Sequence, residues 1–304
     1  MNVLVTGGSG FIGRNLSLRL LEDNHNVSIL TRNRNNIPDT LKDCQIIQGN
    51  ILDRQCLDEI FKGIDVVFHQ AGYSTSAMFN ENLELAFLTN VIGFLNVLKS
   101  ASQNGVEKVI FASSSSVYGD LPSPHSEKMR PSPANLYGIT KLTDEELARY
   151  YSERFGLRTV GLRYFSVYGI SDESKSKHAN LITKTLLAAK NSIKHPAIEG
   201  YPNYSRDYVF VLDVVQANLL AMKSENRFVT YNVGTGESHT LKEAVQIIGE
   251  ISGKKIEPTY VSQKIQRIKH TLADISKIKE ELGYNFKYDL KKGLRIMWDS
   301  LRKQ

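Results

Sequence analysis

Val3-Leu4-Val5-Thr6-Gly7-Gly8-Ser9-Gly10-Phe11-Ile12-Gly13 opens the chain, and Leu16, Leu20 and Leu21 follow it at helical spacing. The order is strand, glycine turn, helix. Glycines let the backbone turn tightly and approach a pyrophosphate, whose charge then rests on the free amides at the helix start. Gly8-x-Gly10-x-x-Gly13 fits the dinucleotide fingerprint, and Gly7-x-x-Gly10-x-x-Gly13 fits its variant form, so Gly7, Gly10, Phe11, Ile12 and Gly13 are candidate cofactor contacts. The position at the first strand-helix junction is where an open α/β sheet places such a turn.

Working outward, Val27-Ser28-Ile29-Leu30 reads as the second strand, whose end should meet the adenosine ribose. An acid there accepts both ribose hydroxyls and repels a 2′-phosphate. Thr31 and Arg32 stand there instead, with Arg34 nearby, which leans toward NADP over NAD; the other reading of these arginines is solvated loop charge. A strand at 45–48 leads to Asn50 and Ile51, an amide and an apolar group suited to adenine, while Asp53 caps a helix from Arg54 to Phe61. The strand Asp65 to His69 ends in Gln70-Ala71-Gly72, small enough to let a cofactor lie close, and His69 reads as packed. Apolar spacing predicts one long core helix over about 80–103, in which Asn90 is either a polar residue reaching the site or an ordinary polar position. Lys108 to Ala112 is a strand whose carboxyl end carries Ser113-Ser114-Ser115-Ser116, hydroxyls aimed where ligands bind.

The chemistry concentrates in Tyr137-Gly138-Ile139-Thr140-Lys141. Four residues apart on a helix is one face. A phenol with an ordinary pKa of about 10 is a poor base, but an ammonium within about 4–6 Å favours the phenolate. Pro131, Pro133 and Asn135 mark the helix start, with Asn135 as N-cap, and Gly156 ends the helix. Beyond Gly169 the strand-helix alternation loosens, and Ser171 to His178 reads as a polar loop at a boundary. Helices at about 179–194, 240–252, 274–282 and 289–301, another opening at Asp213, and short strands at 196–200 and before Gly234 complete the chain.

The 304 residues are 41% hydrophobic and 23% charged, the composition of a soluble globular chain. With 38 basic and 32 acidic residues the net charge is +6, yet no long basic run or nucleic-acid motif is present, so a generic basic surface or a pocket for an anionic substrate explains the excess better than nucleic acid. Cys44 and Cys56 lack metal-ligand spacing, which predicts no metal site and a reducing compartment. No uninterrupted apolar run approaches the roughly 18 residues of a membrane span. A cytoplasmic protein without membrane attachment is the expectation.

With these pieces in order, the chain resembles the extended short-chain dehydrogenase/reductase family, and within it the NAD(P)-dependent sugar-nucleotide epimerases of UDP-glucose 4-epimerase type. The marks are Thr6 to Gly13, Ser113 to Gly119, Tyr137-x-x-x-Lys141, Leu162-Arg-Tyr-Phe165, Arg206-Asp-Tyr208 and Asn232 to Gly236, in the family's order over nearly the whole length. The resemblance implies a Rossmann-type doubly wound parallel sheet in residues 1–169, to which a segment near 207–232 returns, and a smaller carboxyl-terminal α/β substrate domain in 170–304. Tyr137 is then the base, Lys141 its electrostatic partner and ribose ligand, and Ser114 the catalytic hydroxyl; Tyr164 joins the cofactor contacts. Ser115, Ser166 and Arg206 face the sugar nucleotide, with Arg206 on its diphosphate, and a homodimer pairs the long helices. Three positions depart from the family: Thr31 for an acid, Ser166 for asparagine, and Gln266-Arg267 for Gly-Asp, so that Lys264 or Arg267 rebuilds the phosphate clamp. The expected activity is 4-epimerisation through a 4-keto sugar. An NADPH-dependent carbonyl reductase is the first alternative, and an inactive cofactor-binding regulator the second.

Overall fold

A computed structural model describes residues 1–193, 197–199, 201–261 and 268–303. The first half alternates strand and helix: β1 (Asn2–Thr6), α1 (Phe11–Glu22), β2 (Asn26–Thr31), β3 (Gln45–Gln48), α2 (Arg54–Ile60), β4 (Val66–His69), α3 (Ser76–Glu81), α4 (Leu83–Phe87), α5 (Gly93–Gln103), β5 (Lys108–Ser114), α6 (Leu136–Phe155) and β6 (Arg158–Tyr164). The second half is β7 (Ser166–Tyr168), α7 (Leu181–Asn191), β8 (Ile198–Glu199), β9 (Ser205–Arg206), β10 (Tyr208–Phe210), α8 (Val211–Ala221), β11 (Phe228–Val233), β12 (His239–Thr240), α9 (Leu241–Ser252), β13 (Tyr260–Val261), α10 (Ser276–Leu282) and α11 (Leu290–Lys303).

Seven strands form one sheet in the order β3-β2-β1-β4-β5-β6-β11. Every pairing in it is parallel. A parallel sheet is covered on both faces, and the strands show it residue by residue. Val3 and Val5 point into one buried cluster with Leu16 and Leu20 of α1 and Val214 of α8. Leu4, between them, points into the opposite cluster with Phe94 and Leu98 of α5 and Ala148 of α6. Strand order reverses between β1 and β4, which opens a crevice at their carboxyl ends. The last strand comes from far along the chain: β11 pairs with β6 from Phe228 opposite Thr159 to Val233 opposite Tyr164. Residues after β6 otherwise build two-stranded sheets and a third cluster in which Tyr168 and Phe210 meet Leu186, Leu294 and Met297.

Two expectations are corrected here. The helix expected over about 80–103 is interrupted: α3 ends at Glu81, Asn82 leaves helical geometry (φ −153°) and its side chain caps α4, and a π-helical turn at Leu88–Ile92 precedes α5. A polar cap residue inside an apolar pattern starts a new helix because its side-chain oxygen Oδ1 accepts from the freed amide of Leu85. Taken together, Leu83–Gln103 is also long and apolar enough by length and composition to cross a membrane, contrary to the reading of uninterrupted runs. Half of that stretch is buried within the protein, where α5 covers the sheet.

Candidate active site

The crevice holds a cavity of about 620 Å³, floored by the glycine turn and walled by the ends of β4, β5 and β6 and the start of α6. At the turn, a Cβ on Gly13 would lie 2.2 Å from the Gly7 carbonyl oxygen, so only glycine lets α1 begin this close to β1. Gly10 caps α1 without any side-chain hydrogen bond, which leaves the first amides of a 12-residue helix open toward the cavity. These features fit a dinucleotide pyrophosphate. Gly7, Gly10, Phe11, Ile12, Gly13, Gln70 and Ala71 all line the cavity.

Across from the turn, β5 delivers Ser114. Its hydroxyl oxygen accepts from the Ser116 amide at 3.1 Å and so caps the 3-10 turn Ser115–Tyr118. The hydroxyl hydrogen is left to donate elsewhere. Helix α6 starts as its sequence dictates, with Asn135 accepting from the Gly138 amide at 2.9 Å. A Cβ on Gly138 would lie 2.5 Å from the Ser116 carbonyl oxygen, so the residue after Tyr137 is what lets α6 press against the serine turn. Tyr137 packs its ring on Phe79 with centroids 5.9 Å apart, and among the described residues its hydroxyl makes no hydrogen bond. Lys141, one turn on, is 5% exposed, and its Nζ lies 3.1 Å from Oδ2 of Asp144. Ser114, Ser115, Tyr137, Lys141, Tyr164, Ser166 and Arg206 all face the one cavity.

Behind these groups lies a polar network closed to solvent. Arg163 donates through Nε and Nη2 to the two Glu145 oxygens at 2.8 and 2.7 Å, and through Nη1 to the Tyr118 hydroxyl at 2.8 Å. Ser113 donates to Glu145 at 2.5 Å, and Tyr118 donates to Asn232 of β11 at 2.7 Å. Burial pushes the Tyr118 phenol up to about 12. Burial also opposes the Arg163 charge, but its bonds to Glu145 outweigh this and hold the guanidinium protonated.

Two polar residues close to the site, Asn90 and His69, sit in the wall rather than on the cavity. Asn90 is buried, with Oδ1 accepting from the Tyr73 amide at 2.8 Å and Nδ2 donating to the Tyr73 carbonyl and the Thr140 hydroxyl. It braces the turn after β4. His69 is packed as expected, stacked on Phe94 and 2.8 Å from the Thr6 hydroxyl; burial, aided by the Lys141 charge, pushes its imidazole down to about 3. Tyr164 bonds Gln70 and Asn218, and burial holds its phenol above the ordinary range.

Thr31, Arg32, Asn50 and Ile51 lie off this cavity, at the carboxyl ends of β2 and β3. The Thr31 hydroxyl is engaged in its own turn with Asn33, Arg32 is exposed, Asn50 accepts from the Leu52 amide, and Ile51 is buried against Gly93. Arg206 lines the cavity while its guanidinium donates to the carbonyls of Ser205, Ile268 and Lys269. Lys264 and Arg267 lie outside the described residues.

The reading by spacing missed Lys175 and His178, which enter the cavity from the polar segment 172–178. That segment is a 3-10 turn anchored by Asp172, a fully buried acid accepting from the Asn180 amide and the Thr183 hydroxyl, with Lys175 at 2.9 Å and the Lys175 ammonium 4.8 Å above the Phe11 ring. Nothing in its charged, aperiodic sequence signals this. Asp144 and Glu145 were legible in principle, since they stand three and four residues after Lys141 on α6. Among the described residues no carboxylate lines the cavity, whereas Lys141, Lys175 and Arg206 do, an environment suited to an anionic ligand.

Known proteins share this fold. The UDP-glucose 4-epimerase of Thermotoga maritima, solved with UDP-glucose, superposes with a TM-score of 0.93 at 31% identity, covering 100% of this chain and 99% of that one. The UDP-glucuronic acid 4-epimerase of Bacillus cereus, solved with UDP-glucuronic acid and NAD, gives 0.91 at 27% identity over 100% and 99%. The UDP-glucose 4-epimerase of Halalkalibacterium halodurans is 30% identical over 95% of this chain and 91% of its own. A sequence profile of the NAD dependent epimerase/dehydratase family matches residues 3–234, from the first strand to the end of β11, and the chain belongs to that family.

Proposed function

We propose that this protein epimerises a nucleotide sugar at C4 through a 4-keto intermediate. One observation carries the reading: Tyr137, Lys141 and Ser114 converge on a single cavity with the pyrophosphate turn, and no carboxylate joins them among the described residues. A nicotinamide dinucleotide held at the turn of Gly7, Gly10 and Gly13 would supply hydride acceptance and return within one cycle. Tyr137, as phenolate, takes the proton of the C4 hydroxyl and returns it to the keto oxygen; Lys141 favours that phenolate and binds the cofactor ribose; Ser114 donates its free hydrogen to the same oxygen. Ser115 and Ser166 face the sugar, and Arg206 with Lys175 offers positive charge to the diphosphate. Residues 1–169 with the returning 207–232 hold the cofactor, and 170–304 close over the substrate.

The two residues after Ser114 are Ser115 and Ser116, hydroxyls that do not ionise near neutral pH and are poor proton shuttles for water elimination. The product is therefore an isomer. Incubation with UDP-, GDP- and dTDP-sugars followed by mass spectrometry should show a new compound of unchanged mass and no net cofactor reduction. Loss of a water's mass refutes the epimerase reading, and gain of two hydrogens with NADPH consumed replaces it with the reductase.

For the cofactor form, Thr31 in place of an acid and the exposed Arg32 support binding of NADP at least comparable to NAD. Calorimetric titration of the protein and of Arg32→Ala with each form tests this; a large NAD preference unmoved by the substitution refutes it. A homodimer is supported by apolar residues left exposed on α4, the π turn and α6, among them Leu83, Phe87, Ile92, Leu136 and Ile139.

A further inference from the structure

The acid beside Lys141 has no part in the chemistry above, yet the structure ties it to that chemistry. Asp144 is 1% exposed, follows Lys141 by three residues and so shares its helical face, and accepts from the Lys141 ammonium through Oδ2 at 3.1 Å. Its other oxygen, Oδ1, is buried without a hydrogen-bond partner among the described residues. An ion pair selected for stability satisfies both oxygens, as the adjacent Glu145 does with Arg163 and Ser113. Asp144 engages one ammonium, and that ammonium is the one that faces Tyr137's cavity.

We propose that Asp144 is a positioning residue of the reaction: its carboxylate fixes the Lys141 ammonium on the α6 face below Tyr137 and competes with the phenolate for that positive charge. The proposal rests on the reading of Tyr137 as the base. Two anions share one cation, so whichever is protonated leaves the other the full benefit of Lys141. Burial pushes the Asp144 carboxyl up to about 7, with Lys141 pulling it down and Glu145 pushing it further up. The other charged or titratable groups nearby do not replace it: Arg163 of β6 is engaged by Glu145, and His69 of β4, which feels the Lys141 charge, is held neutral by burial. Asp144 therefore holds a proton more readily than an ordinary carboxyl, and the Tyr137–Lys141 pair has a titratable neighbour outside the cavity.

The test replaces the carboxylate and follows the phenol. In Asp144→Asn and Asp144→Ala the competitor is gone, so the acidic limb of the kcat profile should move to lower pH by about one unit, while Asp144→Glu, which keeps the charge, should retain the parental limb. Ultraviolet titration of tyrosinate, with Tyr137→Phe assigning the signal, should show the same displacement without turnover. A merely structural role lowers the amount of active protein and leaves both titrations where they were; that outcome in the Asn and Ala variants overturns the proposal. A protein that converts no nucleotide sugar sinks the epimerase reading alone, because the tyrosinate titration still decides the role of Asp144.

Discussion

Two neighbouring polar regions, meeting at α6, are built on opposite rules. Behind the site, Ser113, Tyr118, Glu145, Arg163 and Asn232 form a buried network bonded among its own members and closed at its far end, where Asn232 donates to the carbonyls of His125 and Asp274 and, through its main-chain amide, to the Glu127 carboxylate. In front, the Tyr137 hydroxyl and the Ser114 hydrogen have no partner among the described residues, and Asp144 is satisfied at one oxygen only. The closed network ties β5, β6, α6 and β11 together and makes the frame rigid. Groups left open beside it are available to a substrate because the frame, and not their own bonds, holds them in place.

The largest effect should come from breaking the closed side. Arg163→Ala leaves the Glu145 carboxylate buried and unpaired, and should cost about 3–5 kcal/mol of stability in a urea titration. Replacing both partners, as Glu145→Leu with Arg163→Met, should recover much of that loss, since the desolvation of both charges is removed as well. A single variant as stable as the parent would show that the network is not what holds the frame.

On the open side the effect should fall on turnover instead. Tyr137→Phe removes a hydroxyl that no described residue bonds, so stability should change by less than about 0.5 kcal/mol while kcat falls by roughly 10²–10⁴-fold and cofactor affinity is kept. Turnover at the parental rate would remove Tyr137 from the mechanism.

His69 stands between the two classes, with Nδ1 bonded to Thr6 and Nε2 buried without a partner among the described residues. Its imidazole is depressed from 6.5 to about 3 in the folded protein. The folded state thus binds the proton less readily than the unfolded one, and the stability that neutral His69 contributes is present above pH 6.5 and is lost as pH falls toward 3. Urea midpoints measured at pH 7.5 and 5 should drop for the parent and drop less for His69→Phe, which keeps the stack on Phe94. Equal drops would place the acid sensitivity elsewhere.

The smallest effect on the site should come from the exposed face of α6, opposite its buried one. Ile139→Asp puts a charge among the exposed apolar residues and should shift light scattering from twice the 34.2 kDa chain mass to that mass, with little change in the cavity. A parent already at the chain mass refutes the dimer.

The sequence alone determined what depends on local rules. Glycine spacing at 7–13, the caps at Asn135 and Asp53, and the i,i+4 placement of Tyr137 and Lys141 were legible because turn sterics and helical periodicity act over a few residues. The parallel sheet followed from apolar strands alternating with helices. Tertiary structure decided what depends on residues far apart in the chain. Asn90 became a brace for Tyr73 because a π turn rotates it inward, Lys175 entered the cavity because a buried Asp172 folds its loop back, and the Arg206 guanidinium is bonded to the segment at 268–269. Asp144 illustrates the division most directly. Spacing places it on the face of Lys141, but only the packing of α6 against the sheet removes it from water, and that removal raises its carboxyl above the ordinary carboxylate range.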